Sequence, residues 1–109
     1  MSRVSILIAG LLLLLLSLPL AFGWVPMNKY YGFRTAVSMK SDDNWYAVNG
    51  CGGRRLAWWS LPVIAIGIAG WFIPEDYREA YARYTPFLVF GVVAIAFISV
   101  GVWSRRYLP

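Results

Sequence analysis

Three long stretches of this 109-residue chain carry no formal charge: 4–28, 56–74 and 84–104. All fifteen Lys, Arg, Asp and Glu side chains sit in the segments between and beside them. A water-soluble element needs charged or polar groups along its outer face, and these stretches supply almost none. The pattern excludes a soluble globule. It predicts an all-α membrane protein forming a single membrane domain over 1–109, because a helix satisfies its own backbone hydrogen bonds in hydrocarbon.

A bilayer core of about 30 Å takes roughly 20 apolar residues at 1.5 Å each. Three transmembrane helices are expected, at about 4–25, 56–73 and 86–103. The first centres on six leucines, Leu11 to Leu16, which suit a lipid-facing helix. It is read as a retained anchor and not a cleaved leader, being long for a leader's apolar core. The second holds Ala65, Gly67, Ala69 and Gly70, small residues that let another helix come close. Pro19 and Pro62 are tolerated inside membrane helices. Pro86 fits the first turn of the third span, where its missing N–H costs nothing. Gly91 and Gly101 give that span small-residue sites for a partner or for self-association.

Lys and Arg counts set the orientation. The N-terminal flank and the segment 74–85 hold three (Arg3, Arg78, Arg83). The loop 26–55 and the C-terminal flank hold seven (Lys29, Arg34, Lys40, Arg54, Arg55, Arg105, Arg106). The N-terminus is therefore expected outside, with the long loop and the C-terminus in the cytoplasm. Trp24, Trp58, Trp59, Trp103 and Tyr107 fall at the expected inner interface, and Trp71, Phe72 and Tyr84 at the outer one.

The outer segment begins Pro74-Glu75-Asp76, a helix-start pattern. It places Tyr77, Tyr81 and Tyr84 on one helical face and Glu79 four residues before Arg83. A short interfacial helix is expected there. The inner loop divides in two. Residues 26–40 lack helical periodicity and hold the turn formers Pro26, Asn28 and Gly32. Residues 41–55 look helical, with Ser41 as cap and Asp42 and Asp43 in the first turn, and lead into the second span. Asn49, Gly50, Gly52 and Gly53 are poor helix formers, so they mark either a break or close packing. Cys51 is read as a small buried residue, with palmitoylation as the minor alternative.

The ordered series Asn28, Gly32, Arg34, Thr35, then Ser41, Asp42, Asp43, Trp45, then Asn49 and Gly53, resembles the SdpI family of bacterial membrane proteins, named for immunity to a secreted toxic peptide. The resemblance covers about 20–103 and is closest to a short three-helix form. Ala36 stands where the family usually has Pro. The resemblance implies a bacterial inner-membrane protein that binds, excludes or reports a membrane-active peptide, with the inner motif as a surface for that peptide or for a soluble regulator.

Two roles compete for Arg34. As an internal clamp it pairs with Asp43 or backbone carbonyls under Trp45. As a ligand group it joins Lys29 and Asn28 to receive a lipid phosphate or an acidic peptide group. Trp45 by itself reads as an interface anchor. With no His and one Cys, the chain has no intrachain disulfide, no His/Cys metal cluster and no His-based acid–base chemistry. No catalytic residue, cofactor or metal is expected, and an enzyme acting on lipid head groups is the weakest reading. The net charge of +5 suits anionic lipids and does not point to nucleic acid. The expected partners are membrane lipids, a peptide toxin, a soluble regulator or further copies of the chain. The alternative is a small accessory subunit packed in a larger membrane complex.

Overall fold

The computed structural model describes residues 2–109. Three helices, α1 (Arg3–Ala21), α2 (Asp42–Ala69) and α3 (Arg78–Tyr107), run up, down and up in a bundle 52 Å long and 24 by 20 Å across. Short 3-10 turns at Ser38–Lys40 and Glu75–Tyr77 precede the second and third. There is no strand among the described residues. Two stretches, Arg3–Ala21 and Glu75–Tyr107, are long and apolar enough to cross a membrane.

The first helix is shorter than its apolar run. Gly23 at φ +71° ends it, with the Gly23 N–H donating to Leu20 O and the Trp24 N–H to Pro19 O. That pair of bonds is the glycine-dependent C-terminal cap that satisfies the last carbonyls of a helix. The second helix stops at Ala69, not Ile73. Its fully apolar part is therefore 56–69, about 20 Å of rise. The third differs most from expectation. Pro86 lies inside α3 and not in its first turn, and the separate short outer helix is absent. Residues 78–85 are instead the first turns of one continuous helix. The Thr85 hydroxyl donates to Tyr81 O at 2.6 Å just before the proline, where the ladder lacks an N–H donor.

The first two helices form the closely packed unit, antiparallel and in step. A Cβ on Gly10 would lie 2.9 Å from Ile64 N, one on Gly67 2.8 Å from the Leu7 backbone, and one on Gly53 2.4 Å from Ala21 N. Small residues let these backbones nearly touch, as in membrane helix pairs. The leucine-rich helix thus has two faces. Ile6, Gly10, Ser17 and Leu20 are buried, while Leu11, Leu12, Leu15 and Leu16 are exposed. The third helix packs along the second. Ala96 and Val100 join Leu20, Phe33, Val48 and Leu56 in one core, and Val89 joins Ile6 and Val63 in the other. Its outer face carries exposed Phe87, Leu88, Phe90, Ile95 and Ile98. Ser17, Ser60, Ser99 and Ser104 return their hydroxyls to carbonyls three residues back. An apolar exterior with internally satisfied hydroxyls matches hydrocarbon as the solvent.

Candidate functional site

The segment 22–41 folds back over the end of the α1–α2 pair, and the family-like residues hold it there. Asn28 starts the fold. Its Oδ1 accepts from the Tyr30 and Tyr31 N–H groups at 2.9 and 2.7 Å, and its Nδ2 donates to Pro26 O. This side-chain mimic of a turn is what Asn offers at such a position. The chain then passes Gly32, whose φ of +117° excludes most side chains. A Cβ there would meet Asn49 Oδ1 at 2.7 Å and the Trp45 ring at 3.1 Å.

Asn49 and Trp45 rise from the first turns of α2 to meet this strand of loop. The buried Asn49 amide accepts the Phe33 N–H at 2.6 Å and donates to Trp45 O at 2.9 Å and Phe33 O at 3.4 Å. Trp45 is fully buried, and its indole N–H reaches Val25 O at 2.8 Å. It is a pillar under the loop and not an interface anchor. The reason is its spacing: Trp45, Val48, Asn49, Gly52 and Leu56 share one helical face, all buried. The glycines on this stretch do not break the helix. A Cβ on Gly52 would lie 2.3 Å from the Phe33 ring, and Gly53 lies against the α1 backbone, so packing is their reason. Cys51 is buried beside them, as expected.

Further ties close the loop at both ends. Thr35 and Ser38 bond each other reciprocally: the Thr35 N–H donates to Ser38 Oγ at 2.7 Å, and the Ser38 N–H to Thr35 Oγ1 at 3.1 Å. Ser41 caps α2 by accepting from Asn44 N–H at 3.1 Å, with Asp42 and Asp43 in the first turn. The Asn44 amide donates to Val37 O and to Pro109 O, tying loop and C-terminus together. The Tyr31 hydroxyl donates to Leu16 O, five residues before the end of α1. Burial pushes that hydroxyl's pKa up. The Phe33 ring packs against that of Phe97 on α3, tilted at 44° with centroids 4.7 Å apart.

The expected clamp residue is the exception. Arg34 is exposed, and Asp43 is exposed as well. The single ion pair among the described residues is Glu79–Arg83, at 3.0 Å in the segment at the other end. Arg34 therefore does not fasten the loop. Neutral amides and an indole do so, because a buried charge needs compensation that a buried amide obtains from backbone groups already present. Lys29 and Lys40 are exposed too. The site thus consists of a rigidly tethered loop that presents cations which folding does not use. Tyr31, Phe33, Ser38 and Asn44 belong to it without having stood out in the sequence. Only the helical spacing of Asn44 and Trp45 with Val48 and Asn49 hints at them.

A family model described as the SdpI/YfhL protein family matches residues 24–104. Neither a curated protein nor a solved structure matches the chain.

Proposed function

The chain belongs to the SdpI/YfhL family, and from that premise we propose that it crosses the membrane three times and protects the cell against a membrane-active peptide, by binding it or signalling its presence. The observation that carries this reading is the match over 24–104, which contains every residue of the loop motif from Asn28 to Asn49. Arg34 and Lys29 on that loop are the groups offered to an acidic peptide, a lipid phosphate or a soluble regulator. Residues 53–69 of α2 lie in step with the length of α1, which supports a crossing by α2 wherever α1 crosses. The Lys and Arg distribution supports a cytoplasmic loop and C-terminus in a bacterial inner membrane. The reading contains no chemical step.

The test is to delete the gene and challenge the cells with a membrane-active peptide. Increased killing, restored to normal by the wild-type gene, is expected. Unchanged sensitivity sinks the protection reading. One observation favours a second reading, an accessory subunit in a larger membrane complex. Gly91 and Gly101 have nothing within 4 Å, so α3 keeps an unfilled small-residue face. Co-purification of a stoichiometric protein partner in mild detergent would select it.

A further inference from the structure

The end of the bundle opposite the motif loop carries its own cationic pocket. Arg3 and Arg78 line one cavity of about 200 Å³ with Ser2, Gly70, Tyr81 and Ala82. That is space for several waters of about 30 Å³ each, and so for a phosphate group. No carboxylate lines it. The only ion pair among the described residues joins Arg83 to Glu79, so neither pocket guanidinium is neutralised that way.

The pocket is shaped as well as charged. The Arg3 guanidinium lies 4.9 Å over the Trp71 ring, an arrangement that holds its plane while leaving its N–H edge available. A Cβ on Gly70 would lie 2.5 Å from the Arg3 Cβ and 2.7 Å from the Tyr81 hydroxyl, so only glycine leaves the floor open. The Tyr81 hydroxyl donates its proton to Ile66 O at 2.7 Å, which fixes that wall and leaves the guanidinium N–H groups to meet a ligand. Exposed Trp71, Phe72, Tyr77 and Tyr84 surround this end. Such aromatics settle at the depth of lipid headgroups.

We propose that Arg3 and Arg78 form a binding site for the phosphate of an anionic phospholipid. Two arginines lining one pocket that holds no carboxylate suit a phosphate, and the exposed aromatics at this end place it where lipids present one. The site lies at the other end from the motif loop and does not depend on the protection reading.

The test uses the purified full chain in detergent, titrated separately with phosphatidylglycerol, phosphatidylcholine and sodium phosphate, with retained adducts read by native mass spectrometry. One phosphatidylglycerol is expected to be held in preference to phosphatidylcholine. Arg78→Gln is expected to weaken it by about tenfold. Arg83→Gln, which removes a guanidinium already paired with Glu79, is expected to leave it unchanged. Equal retention by Arg78→Gln and wild type overturns the proposal, as does an equal loss in Arg83→Gln or equal binding of phosphatidylcholine. Sodium phosphate binding as tightly as the lipid overturns the lipid assignment. If Arg78→Gln does not fold, Arg78→Lys keeps the charge and removes the fork. Weaker retention then supports the site, and unchanged retention overturns it.

Discussion

Asn49 uses both ends of its amide, and its bonds to the N–H and C=O of Phe33 keep those buried loop groups from being stranded. Asn49→Ala orphans the buried Phe33 N–H, a loss of roughly 1–3 kcal/mol. The expected result is faster proteolysis within 26–45, with helix content by circular dichroism almost unchanged. Arg34→Ala is expected to do the reverse. The loop stays as protease-resistant as in wild type, because Arg34 is exposed and forms no ion pair, while protection against the peptide falls. A loop loosened by Arg34→Ala would restore the discarded clamp. The residue types at Asn28, Gly32, Thr35, Ser41 and Asn49 announced turns and caps from the sequence. The sequence left Arg34 open between clamp and ligand group because it shows which side chains are able to pair, but not which of them face solvent.

At the scale of the helices, glycine has two opposite meanings here. On α2, Gly53 and Gly67 face the α1 backbone, whereas Gly91 and Gly101 on α3 face nothing. Gly53→Ala forces a methyl group to within 2.4 Å of Ala21 N. It is expected to destabilise the chain by about 1–3 kcal/mol, seen as earlier thermal unfolding in detergent. Gly101→Ala is expected to leave that unfolding unchanged. If the two variants unfold alike, the in-step packing of α1 on α2 is wrong. The small-residue content of both helices was legible in the sequence. Which stripe was already filled was not, since that depends on how the helices are rotated in the bundle.

The whole molecule places Arg3 beside Trp71 at one end and Asn44 beside Pro109 at the other. The N-terminus and the 74–77 turn therefore share an end, and the motif loop and C-terminus share the opposite one. With Cys51 replaced by Ala, Lys40→Cys is expected to react with an impermeant thiol reagent only in opened cells. Glu79→Cys is expected to react in intact cells. The reverse pattern would invert the proposed orientation.

The sequence by itself determined that this chain is helical and apolar enough for a membrane protein, since its long uncharged runs carry almost no polar surface for water. It also determined the cap at Ser41 and the turns at Asn28 and Gly32, because those depend on the chemistry of neighbours along the chain. Only the tertiary structure decided that α3 runs unbroken through Pro86, that Trp45 lies under the loop, and that two arginines from distant helices line one pocket. Spacing along the chain assigns a residue to a helical face, and which surface that face meets is set only across the bundle.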